Sequence, residues 1–207
     1  MKYFELITFS LRNRTPGQAM QRLEQTLASA AGSCHLMGCW ASEIGPLNQV
    51  LVLRGFDDEA ARLTERERYL LGTDAFGIEA LILDMTVENY TLFPFLQPLA
   101  PGKHGPFYEF RQYNLIPSGL APTMDGWEKA VGPRSAEAYS TPYAAFYATD
   151  GRLPRYLHIW PYATLEQRLD IRTRAVADGV WPPENSGPQL REMHSTVCLP
   201  AGFSPLA

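Results

Sequence analysis

Gly38-Cys39-Trp40-Ala41-Ser42-Glu43-Ile44-Gly45-Pro46-Leu47-Asn48-Gln49-Val50 is the stretch on which the fold turns. Gly45-Pro46 is a turn dipeptide, because proline fixes its own φ and carries no backbone donor. The apolar runs on either side therefore read as two strands, 36–42 and 47–56, folded back as a hairpin. Working outward, residues 3–11 are rich in aromatic and β-branched side chains and read as a strand. Thr15-Pro16 opens a helix, since threonine can cap and proline suits the first helical position. Met20, Leu23 and Leu27 keep helical spacing on one face, and Gly32 ends the run. Beyond the hairpin, Asp57 or Asp58 caps a second helix whose apolar side carries Ala61, Leu63, Tyr69 and Leu70. Residues 81–93 form a fourth strand. The order is β-α-β-β-α-β.

The same order recurs about 105 residues later. Tyr3-Phe4-Glu5-Leu6 matches Phe107-Tyr108-Glu109-Phe110, and Phe9 and Leu11 match Tyr113 and Leu115. Met20, Leu23 and Glu24 match Met124, Trp127 and Glu128, while Trp40 aligns with Phe146 and Phe56 with Tyr162. The second copy is expected to run as strand 107–115, helix 123–139, strands 142–149 and 154–162, helix 164–177 and strand 190–199. Between the copies lies a Pro- and Gly-rich segment, 94–106, unsuited to helix or central strand. The domain division that follows is 1–95, a linker 96–106, and 107–207. Each copy suggests a ferredoxin-like antiparallel sheet with both helices on one face.

The opening stretch resembles the central signature of the NIPSNAP family, Gly-x-Trp followed by Glu-x-Gly-Pro-Leu-Asn-Gln. Glu109-Phe110-Arg111-Gln112-Tyr113 resembles that family's first strand, and His158-Ile159-Trp160-Pro161-Tyr162 its third. The resemblance spans most of the chain, distributed over two copies. It implies an α+β fold of two tandem ferredoxin-like βαββαβ domains forming an intramolecular dimeric α/β barrel. It implies no reaction, because relatives with that barrel include cofactor-independent monooxygenases, haem-handling enzymes and isomerases, and fold alone does not choose among them.

Composition narrows the field. The chain has 207 residues, 45% of them hydrophobic, and a net charge of −4. Its 18 Lys and Arg are scattered, so no basic face for nucleic acid is expected. Three cysteines, Cys34, Cys39 and Cys198, make no disulfide framework and suit a reducing compartment. No apolar run approaches the roughly 20 residues a membrane helix needs, and the N-terminal residues lack the pattern of a signal peptide. A cytoplasmic protein is expected, with no membrane partner. No cofactor is called for: Gly-x-Gly-x-x-Gly, P-loop and Gly-x-Ser-x-Gly motifs are missing. Cys34-His35 and Cys39 lack a second ligand pair for zinc. His104 is expected to be solvated in the linker. A homo-oligomer is left open.

The two copies differ in their strands. Arg111, Tyr113 and His158 stand where the first copy has Ile7, Phe9 and Val52. Alternation puts Glu109, Arg111 and Tyr113 on one face of a strand, and Tyr156, His158, Trp160 and Tyr162 on one face of another. Whether these faces coincide depends on register. One reading is a single polar pocket in the second copy that binds a small organic ligand bearing an aromatic or carbonyl part. In it Arg111 and Glu109 meet the ligand, His158 or Tyr113 moves a proton, Trp127, Trp160 and Tyr162 wall the site, and His194 joins from the last strand. The opposing reading is a buried structural network on a non-catalytic scaffold or interaction module, with Arg111 paired to Glu109. A third, haem or metal handling by the second-copy histidine, follows only from the barrel relatives. The mixed-sign run Arg62, Glu65, Arg66, Glu67, Arg68 reads as a solvated helix face, as do Arg172 and Arg174.

Overall fold

The computed structural model describes residues 1–29 and 34–207, so the expected helix terminator Gly32 lies outside the described residues. The chain forms two compact units: Met1–Thr91 together with Cys198–Ala207, and Leu92–Val197.

The first unit carries β1 (Tyr3–Leu11), α1 (Pro16–Ser29), β2 (Cys34–Ile44), β3 (Gln49–Phe56), α2 (Glu59–Leu71) and β4 (Ile82–Leu92). Its antiparallel strands lie in the order β4-β1-β3-β2. At the β2–β3 turn Gly45 has φ 120° and Asn48 φ 56°, backbone that glycine and asparagine accept most readily. Gly38 sits under Trp40: a Cβ there would lie 2.0 Å from the indole ring, so the Gly-x-Trp pair is one packing unit. The Asp58 carboxylate caps α2 by accepting from the Ala61 N–H at 2.8 Å. Thr15 does not cap α1 with its hydroxyl, which donates to the Arg12 carbonyl. The core of this unit is apolar, with Ile7, Phe9, Leu23, Val50, Val52 and Ile78 fully buried. Each such side chain contributes on the order of 1.5–3 kcal/mol by leaving water. The C-terminal segment completes the unit: Ala201 N–H donates to the Cys39 carbonyl, and the Cys39 N–H to Ser204 Oγ.

One expectation fails here. Leu63 and Leu70 are exposed, and the buried side of α2 carries Arg62 and Tyr69. Arg62 and Arg66 turn inward, and with Arg54 of β3 they build a network on the fully buried Glu5 and on Asn89. Arg54 and Arg66 pair with its carboxylate, the Tyr69 hydroxyl donates to it, and Arg62 and Arg66 donate to Asn89. A buried carboxylate is costly unless cations and donors meet it, and that requirement sets which face of α2 turns inward.

The second unit carries β5 (Phe107–Leu115), α3 (Leu120–Arg134), β6 (Ala144–Ala148), β7 (Arg155–Tyr162), α4 (Leu165–Ala177) and β8 (Leu190–Pro200, whose last three residues belong to the first unit). Its strand order is β8-β5-β7-β6, the ferredoxin-like arrangement again. α3 ends earlier than expected, at Arg134 just after Pro133. Thr164 caps α4 by accepting from the Gln167 N–H at 2.9 Å. The Pro- and Gly-rich segment holds no helix or strand, and the residue before it is packed: Phe93 is fully buried, donates its N–H to the Ala145 carbonyl and meets Trp127 edge-on at 5.7 Å.

Candidate functional site

The register settles what alternation left open. Arg111 pairs with His158, Glu109 with Trp160 and Tyr113 with Tyr156 across β5 and β7. Directly paired residues of an antiparallel ladder share a face, so both polar sets lie together. On β6 the small Ala145 stands beside His158. Over this face lies a cavity of about 720 Å³. From the sheet Arg111, Tyr113, Tyr156, His158, Trp160 and Tyr162 line it. α3 adds Arg134, α4 adds Arg168 and Arg172, and the loop after α4 adds Trp181. Leu169, Val176 and Met193 line it too and are largely exposed, giving it an apolar rim.

Glu109 is 1% exposed and does not line the cavity; it anchors the cations that do. Its Oε1 accepts from Arg168, from Arg172 at 3.0 Å and from the Ser195 hydroxyl at 2.6 Å, with Arg111 3.8 Å away. Burial pushes its pKa up, but the Arg168 hydrogen bond and the charge of Arg111 outweigh this and hold it below the usual carboxylate value. Arg172, expected with Arg174 to be solvated, is thus drawn inward together with Arg168 by the same requirement that orients α2, while Arg174 is exposed. Arg134 is 2% exposed, donates to the Ser140 carbonyl and lies 4.4 Å above the Trp160 ring.

His158 is 2% exposed. Its Nδ1 accepts from the Trp160 indole N–H at 2.6 Å. Indole nitrogen only donates, so Nδ1 carries no proton and the neutral imidazole carries it on Nε2. Among the described residues Nε2 has no hydrogen-bond partner. Burial, then Arg111, Arg172 and Arg134, drive its pKa well below the ordinary histidine value. His158 is therefore a neutral hydrogen-bond donor near pH 7. Tyr156 stacks on its ring at 5.3 Å, and Tyr113 meets it edge-on at 5.0 Å. Burial also raises the Tyr113 pKa, so this side chain is a phenol with Arg111 over its ring.

The remaining expected residues divide. Trp160 and Tyr162 line the cavity; Trp127 stands outside the lining, packed on His158, Trp160 and Trp181. His194 lies on β8 with an exposed side chain, away from the lining. Arg134, Arg168, Arg172 and Trp181 were missed. The signal for two of them was present: Arg62 and Arg66 recur as Arg168 and Arg172, four apart, in the two copies that share Glu5 and Glu109. At the matching positions of the first unit Ile7, Phe9 and Val52 are fully buried, and Phe76 packs against Phe9 and Tyr69 at 5.1 Å.

The NIPSNAP family pattern matches residues 4–96 and again residues 108–205. The chain belongs to the NIPSNAP family. It is 24% identical over 214 residues to protein NipSnap of Drosophila melanogaster, covering 98% of this chain and 78% of that protein. It is 26% identical over 180 residues to NipSnap homolog 2 of Mus musculus and of Homo sapiens, covering 84% of this chain. It spans 63% and 62% of those two proteins, under two thirds of their length. Among solved structures, a candidate monooxygenase from Lactobacillus acidophilus superposes with a TM-score of 0.70 at 9% identity, covering 97% of this chain and 95% of that one. An anthrone oxidase-like protein gives a TM-score of 0.67 at 10% identity, covering 96% of this chain and 91% of that one. At such identities the likeness is one of fold. This NIPSNAP protein thus consists of tandem ferredoxin-like βαββαβ copies of the dimeric α/β-barrel class. Among its described residues no helix is long and apolar enough to cross a membrane.

Proposed function

We propose that the second unit of this NIPSNAP protein binds a small organic ligand through an anionic or carbonyl oxygen, in the cavity between β5, β7, α3 and α4. The observation that carries this is His158: a buried imidazole whose Nε2–H has no acceptor among the described residues, in the wall of a roomy cavity. An unpartnered buried donor costs about 1–3 kcal/mol, and a ligand oxygen would relieve that cost. A neutral imidazole N–H is suited to polarise a carbonyl, and the guanidiniums beside it would favour negative charge developing on that oxygen. The fold neighbours described as monooxygenase and oxidase-like fit a small-molecule pocket.

A thermal-shift and calorimetric screen of aromatic ketones and organic acids tests the reading. Arg111→Ala and His158→Ala should each abolish or strongly weaken any binding found. Ile7→Val in the first unit should cost about 0.5–1.5 kcal/mol of stability and leave binding intact. Binding that survives both second-unit changes but is lost with Ile7→Val defeats the proposal.

A further inference from the structure

The two copies contain their own control for charge. The N-caps Asp58 and Thr164 align α2 with α4, which places Arg62 against Arg168, Arg66 against Arg172, Glu59 against Leu165 and Glu65 against Ile171. In the first unit the inward arginines meet carboxylates: Arg54 pairs with Glu5 and Glu65, Arg66 with Glu5, and Arg62 with Glu59. The second unit keeps both helix arginines and has leucine and isoleucine in place of the two helix acids. It also adds Arg111 where the first unit has Ile7, and Arg134 from α3. Among the described residues one carboxylate, Glu109, stands against Arg111, Arg168 and Arg172, which leaves two positive charges uncompensated, and Arg134 adds a third. The hydrogen bonds of Arg134 go to the neutral Ser140, and its guanidinium rests on Trp160. Nε of Arg111, Arg134 and Arg168 is buried without a hydrogen-bond partner among the described residues.

We infer that the ligand of this cavity is an organic acid carrying at least two negative charges beside an apolar body; the inference rests on the reading of the cavity as a ligand site. Guanidinium forks match carboxylate and phosphate oxygens in pairs. Partly buried cations held together repel one another until an anion joins them. Burial and the neighbouring Arg111 already drive the Arg172 pKa down, the signature of that repulsion. The apolar body is received by Trp160, Trp181, Leu190 and the exposed Leu169 and Met193. A dicarboxylate and a phosphate monoester share this chemistry.

Calorimetry near neutral pH at low ionic strength separates the cases. The probes are phenyl phosphate and phenylmalonate as dianions, benzoate and phenylacetate as monoanions, benzamide as the neutral ring, and inorganic phosphate. Both or either of the dianions should bind at least about tenfold more tightly than the monoanions, and the tighter of the two assigns the head group. Raising the salt should weaken them more than it weakens benzamide. Arg111→Gln and Arg172→Gln should bring the dianion-to-monoanion ratio close to unity, while Arg152→Gln, an exposed arginine outside the lining, should leave it unchanged. Benzoate or benzamide binding as tightly as the dianions would overturn the charge count and leave the cavity reading standing. Inorganic phosphate binding as tightly as phenyl phosphate would overturn the organic body. If no probe of any charge binds, both readings fall. The wild-type series is decisive by itself should an arginine variant fail to fold.

Discussion

Acid should destabilise this protein through His158 before its carboxylates titrate, and the size of the effect follows from the site. In the unfolded chain the imidazole titrates near 6.5. In the folded protein burial and the charges of Arg111, Arg172 and Arg134 hold its pKa well below that. Among the described residues the ring neighbours are Tyr113, Trp127, Tyr156 and Trp160, and no carboxylate is paired with it. Below about pH 6.5 the unfolded state therefore binds a proton that the folded state does not, and stability rises with pH across that window. The loss begins as the pH falls through 6.5 and continues until the folded pKa is reached. For one such group the cost between about pH 7.5 and 5.5 is about 1.4 kcal/mol.

The assay is urea denaturation at pH 7.5, 6.5 and 5.5, followed by tryptophan fluorescence. Trp127, Trp160 and Trp181 all lie in the second unit, so the signal reports mainly on that unit. His158→Gln is the partner measurement, because a glutamine can still accept from the Trp160 indole and does not titrate. The variant should be less stable at pH 7.5 and should lose about 1.4 kcal/mol less on going to pH 5.5. His35, His104 and His194 are common to both proteins and cancel in the difference. Superposable pH profiles for wild type and variant would show that His158 is either charged when folded or open to water, and the argument for a neutral donor would collapse.

Two further outcomes concern the buried carboxylates and the filled core. Glu5→Gln should cost about 3–5 kcal/mol, because it leaves the fully buried Arg54 with Glu65 as its one carboxylate, whereas Glu109→Gln should cost only about 1–3 kcal/mol, since Arg168 and Arg172, 25% and 35% exposed, can turn to water; equal losses in chemical denaturation would contradict this. Phe76→Ala should cost about 3–5 kcal/mol by emptying the space between Phe9 and Tyr69, and a loss under about 1 kcal/mol would mean that Phe76 does not fill the first unit's core.

How far the sequence could be read depended on which force set each element. β1 and β5 run over the expected residues because strand composition and flanking turns decide them locally. The cap of α2, expected at Asp57 or Asp58 and found at Asp58, was legible for the same reason. The inward face of α2 was misread because leucine spacing competes there with a buried carboxylate, and the carboxylate wins: Leu63 and Leu70 are exposed so that Arg62 and Arg66 can reach Asn89 and Glu5. Arg111, Tyr113 and His158 were identified from their contrast with Ile7, Phe9 and Val52, but their common face needed the register, which no single strand encodes. Trp181 follows a loop in which nothing periodic marks an inward side chain.

The same buried carboxylate explains how cations can be kept ready for a ligand without one being present. Free arginines lining an empty pocket would sample many rotamers, and ordering them on binding would cost on the order of 0.5–1.5 kcal/mol for each side chain. Here Glu109 holds Arg168 and Arg172 from below the cavity, and the Tyr113 and Trp160 rings support Arg111 and Arg134. In the first unit Glu5 does the corresponding work for Arg54 and Arg66, but Glu59, Glu65 and Phe76 complete the network and fill the space. One structural device, a carboxylate on the first strand of each copy gripping arginines on the second helix, thus serves packing in one unit and preorganisation in the other. The difference lies in two helix acids exchanged for Leu165 and Ile171, and in Ile7 answered by Arg111. Restoring a helix acid with Leu165→Glu should therefore weaken anion binding, because it would meet Arg168 three residues on, as Glu59 meets Arg62. A variant that folds with its anion affinity unchanged would break the link between the two networks.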